Sequence, residues 1–378
     1  MSPSRDDREA RAEARHIDLR RAALSGEASG QRTGVERTGV ERRDGLQAVG
    51  VWDRLPGESF SGADATYYDR PVLKEPVWIW AVPAYFYVGG AAGAASLLAE
   101  VAESLTGDET ADLVRAARRI GAAGGGIGTA LLVYDLGRPE RFLNMLRVFR
   151  PTSAMSVGSW TLAAATPVFA ASAVLPHAGG LPGHLGNLLG KVAGLLGMPL
   201  AGYTAVLLTN TAVPVWQASR RSLPWLFIGS AMSAAGSLLG FASLNETEAG
   251  IVRRFEVAGQ VAELVATAAV ERDVSKVEQV GLPYKEGVSG GLWRASKVFT
   301  AASLALNLLP RHGRAVRLVS GACGTAGALG VRFATFYAGK ASARDPRATF
   351  HGQRAGEGGA GATGSAAVSG PGGRRATD

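Results

Sequence analysis

Blocks of about twenty apolar residues recur through the middle of this chain, and no other feature limits its fold as strongly. A hydrocarbon core roughly 30 Å thick needs ~20 apolar residues to be crossed as a helix, whereas a helix in a soluble core is usually shorter and carries a charged face. Eight such segments are expected to span: Val77 to Val101, Leu113 to Tyr134, Val157 to Leu175, Val192 to Val213, Trp225 to Leu244, Gly250 to Val270, Gly291 to Leu309 and Ala315 to Ala338. The mean hydropathy of +0.09 averages these blocks with charged ends. The expected fold class is therefore an all-α integral membrane protein. Residues 1–75 read as a disordered charged N-terminal tail, 76–340 as the membrane domain and 341–378 as a disordered Gly/Ala-rich tail.

The formal charge of +8 does not point to nucleic acid, because Lys and Arg sit in the tails and in short loops between apolar blocks. There they hold loops on the cytoplasmic side during insertion. The bias between the two sets of loops is slight, and the basic tails favour both termini on the cytoplasmic side of the cell membrane. Residues 1–50 contain no apolar stretch of the kind a secretory signal needs. They include a tandem RTGVE (Arg32 to Glu41), which reads as linker.

Cys323 is the only cysteine, which leaves no internal disulfide and no iron–sulfur cluster, since a cluster normally takes four thiolates. His16 and His351 fall in the tails, and His177, His184 and His312 in or beside loops, so no haem ligand pair is expected inside helices. No catalytic residue set and no metal site is expected. A redox role would need a bound organic carrier, or clusters on a partner.

The sixth segment is the most polar. Glu256, Gln260 and Glu263 fall at i, i+4 and i+7 and share one helix face. Acids inside a membrane turn toward a bundle interior, where they serve proton relays. Two other readings stand beside that one: an amphipathic helix lying at the interface, or a face paired with Arg253 and Arg254. In the loop DLGRPERFLNMLRVFRPTSAMSVGSW (Asp135 to Trp160), Gly137 and Pro139 stop the helix. Arg138 and Arg141 make it either a seat for a soluble partner or an anchor against translocation. The fourth segment carries Tyr203 in GYTAVLLTNTAVPVW, with Thr209, Asn210 and Thr211 beyond it. A phenol there needs a hydrogen-bond partner, which a quinone carbonyl or a neighbouring backbone carbonyl would supply equally. Glycine pairs at four-residue spacing, such as Gly124 and Gly128, predict closely packed helix faces.

WIWAVPAYFYVGGAAG (Trp78 to Gly93), the Asp135 to Trp160 loop and GYTAVLLTNTAVPVW (Gly202 to Trp216) together resemble the NrfD/PsrC family of reductase membrane subunits. The likeness runs over about residues 70–340. It implies eight helices arranged as two four-helix bundles, with a quinone or menaquinone pocket and neither haem nor iron–sulfur cluster in this chain. It also implies a four-cluster, ferredoxin-like iron–sulfur subunit and a molybdopterin catalytic subunit as partners. By position, Tyr203 matches the family's quinone-contacting tyrosine. The polysulfide reductase subunit has a histidine in its first helix, and Tyr85 or Trp80 stands nearest that place here. Asn210 is a further candidate contact. Glu263, Glu256 and Asp135 are candidates for a proton path, with a structural loop role as the other reading of Asp135. A transporter or ion channel, or a purely structural anchor, are the rival functions.

Overall fold

The computed structural model describes residues 73–354, except positions 139, 141, 311 and 312. All regular elements among them are helical. Eight long helices stand close to the eight expected segments: α1 (Ala81–Thr106), α2 (Ala111–Asp135), α3 (Ala154–Val174), α4 (Gly180–Thr209), α5 (Leu223–Leu239), α6 (Glu246–Val274), α7 (Gly287–Asn307) and α8 (Arg314–Arg344). By length and composition alone, three are able to cross a membrane: α1, α4, and α3 together with the 3-10 turn that extends it to Ala178. α5 is apolar but shorter. The remaining four mix apolar residues with charged ones, such as Arg115, Arg118 and Arg119 of α2.

Packing follows chain order. α1 to α4 form a ring in which α4 returns against α1, and α5 to α8 form a second in which α8 returns against α5. Contacts of α5 and α8 with α1 join the rings. Close approach depends on small residues, as expected. Gly93 of α1 and Gly197 of α4 lie backbone to backbone, and a Cβ on either would strike the other's carbonyl.

Several boundaries differ from the sequence expectation. α4 begins at Gly180, well before Val192, so His184 stands in its first turns, beside the loop that precedes it. The added segment is glycine-rich and a poor helix former in isolation. Here Gly186 packs on Pro176 and Gly190 on the Arg118 guanidinium, so tertiary contact overrides propensity. α4 also runs unbroken through Pro199. At the other end of the chain, α8 passes residue 341 to reach Arg344, and a short helix, Pro346–Arg354, follows. The expected tail boundary thus lies inside a helix. Arg344 Nε and Nη2 donate to the two oxygens of Glu75 at 2.6 and 2.9 Å, and Lys340 joins them at 3.1 Å. The rest of both expected tails, including the tandem repeat, lies outside the described residues.

Candidate functional site

Tyr85 of α1 and Tyr203 of α4 meet inside the first ring, where their hydroxyls hydrogen-bond to each other. Glycines on the other two helices make the space. The Tyr85 ring lies over Gly128 of α2, and the Tyr203 ring lies so close over Gly158 of α3 that a Cβ there would overlap it. All four helices of the ring therefore converge on one phenol pair. Its surroundings are apolar, with Phe86, Leu162, Leu131 and Leu132 in the same core. Tyr85 is fully buried, while Tyr203 keeps partial exposure.

The other expected contacts are not gathered there. Trp80, at the start of α1, is half exposed and packs beside Tyr134 with ring centroids 6.2 Å apart. Asn210 is exposed and turns its amide back to the Val206 carbonyl at 2.9 Å, which finishes its own helix. Asp135 Oδ1 accepts the backbone N–H of Ile79 at 3.0 Å and thereby ties the exit of α2 to the entry of α1. Arg138 is exposed on the loop that follows, and Arg141 lies outside the described residues.

The acidic face of α6 points into the second ring. Glu256 Oε1 accepts from Ser237 at 2.9 Å, from Gln260 at 3.0 Å and from Ser303 at 3.3 Å. Gln260 in turn accepts from Asn307 at 3.3 Å, and Ser303 donates to the Ser320 carbonyl at 2.8 Å. Two turns further along, Glu263 Oε1 accepts from Thr300 at 2.9 Å. Gly236 of α5 is the reason Glu256 fits, because a Cβ there would overlap its side chain. Both carboxylates are buried and neither pairs with Arg253 or Arg254, so the interfacial-helix and ion-pair readings do not describe α6.

The family described as "Polysulphide reductase, NrfD" matches residues 71–342, which covers both rings. This chain belongs to the NrfD family. The C subunit of polysulfide reductase from Wolinella succinogenes is 30% identical over 95 residues, which is 24% of this chain and 30% of that protein. The alignment thus spans less than a third of that relative's length.

NrfD-family membership makes this a membrane protein. The two polar sites in it lie toward opposite ends of the helices. The Ile79–Asp135 and Glu75–Arg344 contacts place the start of α1, the end of α2 and the end of α8 together. Tyr85 is about one turn, roughly 6 Å, inside that end. Glu256 is nearer the other end, where a cavity lined by Gly240, Leu244, Ala249, Arg253 and Arg317 has Glu256 and Asn307 in its wall.

Three kinds of neighbour to these side chains have no place among the residues picked from the sequence. Gly158 gave no signal, since its role depends on a ring from another helix. Ser237 and Ser303 read as ordinary small residues. Arg332 of α8 did give one: it is a lone charge in the apolar run GTAGALGVRFATFYAG, and such residues mark functional interiors. It is fully buried, lies 3.8 Å from the centroid of Phe227, and donates to the Phe227 carbonyl at 2.7 Å.

Proposed function

We propose that this chain is the quinone-interacting membrane subunit of a multi-subunit oxidoreductase. It crosses the lipid eight times as two four-helix bundles, with both termini cytoplasmic, and exchanges electrons with an iron–sulfur partner of the four-cluster ferredoxin type. A molybdopterin subunit carries the terminal chemistry. The Asp135 to Trp160 loop, with Arg138 and Arg141, docks the partner.

The observation that carries this reading is the Tyr85–Tyr203 pair at the centre of the first bundle. One O–H of the pair is taken up between the two phenols, which leaves the other to donate to a carbonyl of a flat apolar ring seated among apolar side chains. Partial exposure of Tyr203 leaves a side for entry. Quinone, when bound, supplies the two-electron, two-proton chemistry. The chain's own work is to orient the ring through Tyr203 and Tyr85 and to exclude water with Phe86 and Leu162. The second bundle handles protons: Glu256 meets the cavity at the far end, and Gln260 and Glu263 extend the polar face along α6. Asp135 serves better as an anchor for Ile79 than as a proton carrier.

The same buried polar column would also suit a transporter, which is the rival reading. Purification in mild detergent separates the two. Co-purified quinone and an iron–sulfur protein support the redox subunit. A chain that carries neither, and binds no added quinone, would refute it.

A further inference from the structure

The cavity that has Glu256 in its wall also carries two arginines, Arg253 of α6 and Arg317 of α8. It forms where α5 and α7 end and where α6 and α8 begin, so Gly240, Asn307 and Arg317 each stand at or near a helix terminus. Arg253 follows within two turns of the start of α6. In a membrane domain, helix ends of this kind lie at the level of the lipid headgroups.

Both arginines are part-buried, and among the described residues neither guanidinium makes an ion pair or a hydrogen bond with a protein group. Arg317 Nε is buried outright and has no partner. Elsewhere in the fold, Arg118 is held by Glu103 and Arg344 by Glu75. The acids near the cavity are committed to other donors. Glu248 accepts the Leu113 and Asn245 N–H groups, and Glu256 Oε1 accepts from Ser237, Gln260 and Ser303. Arg254 and Arg314, exposed on the same two helices, add to the positive charge. Unpaired guanidiniums on two helices, brought to one cavity, are a recognition element for an anion.

We propose that Arg253 and Arg317 bind the phosphate of an anionic phospholipid at the mouth of this cavity. A guanidinium presents planar N–H donors that match two phosphate oxygens, and basic pockets between membrane helices take up anionic headgroups in this way. Glu256 disfavours an anion deep in the cavity, and the space there is narrow, so the phosphate stops at the open side. A lipid suits the place better than free phosphate, because exposed apolar side chains flank the arginines. The Phe241 ring meets Gly321, one turn beyond Arg317, and Leu308 and Leu318 adjoin Asn307 and Arg317 in the chain. Acyl chains lie along these residues while the headgroup meets the arginines.

Native mass spectrometry of the full chain in detergent tests this, with phosphatidylglycerol and phosphatidylcholine of identical acyl chains added separately. The chain is expected to retain phosphatidylglycerol several-fold more than phosphatidylcholine. Arg253→Gln/Arg317→Gln should abolish that difference, and each single substitution should weaken it where the pair does not fold. Arg119→Gln, at an exposed arginine of α2 outside the cavity, should preserve it. Equal retention of the two lipids by the unmodified chain, or a preference that persists undiminished in the Gln variants, would overturn the proposal. Inorganic phosphate at millimolar concentration is the third arm. If it binds the unmodified chain and not the Gln variants, while neither lipid is preferred, the arginines serve free phosphate and the lipid assignment fails. The measurement needs neither quinone nor partner, so its outcome is independent of the quinone reading.

Discussion

Glu248 Oε1 accepts the backbone N–H of Leu113 at 2.9 Å, so a residue in the first turn of α6 caps the first turn of α2. Its Oε2 accepts the Asn245 N–H at 3.1 Å and closes a capping box with the Asn245 side chain. One buried carboxylate therefore satisfies donors from both rings. Glu248→Ala leaves two buried N–H groups without an acceptor and is expected to destabilise the fold by roughly 2–4 kcal/mol. Glu248→Gln keeps one acceptor oxygen and should cost less. Thermal unfolding in detergent ranks the two.

The Tyr203 ring depends on the missing side chain at Gly158. Gly158→Val forces the phenol away from Tyr85, and quinone binding should fall at least as far as in Tyr203→Phe. Gly126 on α2 has open space where a Cβ would stand, so Gly126→Ala should bind quinone normally. A quinone titration on the three variants makes the comparison.

Tyr203→Phe keeps the ring and removes one donor. Loss of a single neutral hydrogen bond weakens quinone affinity by about tenfold. Trp80→Phe and Asn210→Ala, at positions away from the phenol pair, should leave affinity unchanged. Equal losses in all variants would mean that the phenol pair is not the contact.

Glu256 separates proton handling from folding. Glu256→Gln retains an oxygen for Ser237, Gln260 and Ser303, so unfolding should stay close to the parent. Proton release coupled to turnover of the assembled complex should drop. Glu256→Leu leaves the buried Ser237 hydroxyl without its acceptor, while Ser303 keeps the Ser320 carbonyl and Gln260 keeps Ser303, with an expected cost of roughly 1–3 kcal/mol. Stopped-flow pH-dye traces beside melting curves test both halves.

Asp135→Asn retains an oxygen for the Ile79 N–H. Proton uptake and turnover are expected to stay at parental values, whereas Asp135→Ala should loosen the start of α1. Lost uptake in the Asn variant, with a normal melt, would restore Asp135 to the proton path.

Much of the helical layout was legible from the chain. The α6 acids were read correctly as sharing a face, because i, i+4 and i+7 is a local geometric rule. The start of α4 was missed, because Gly183, Gly186 and Gly190 argue against a helix until Pro176 and Arg118 are known to pack on them. The C-terminal boundary was missed for a similar reason, since the partner that fixes Arg344 is Glu75, at the far end of the domain. Asn210 looked like a site residue by proximity in sequence to Tyr203, yet its amide serves its own helix end.

By itself, the sequence determined that the chain builds long apolar helices, roughly where each lies, and which residues share a face on each one. Those properties arise from twenty-residue apolar runs and a 3.6-residue period, both local to a segment. Only the tertiary structure decided that Tyr85 meets Tyr203 over Gly158, that Glu256 sits against Gly236, and that Arg332 comes within reach of Glu263. Such meetings depend on how helices far apart in the chain cross one another, and helical periodicity carries no record of a neighbour.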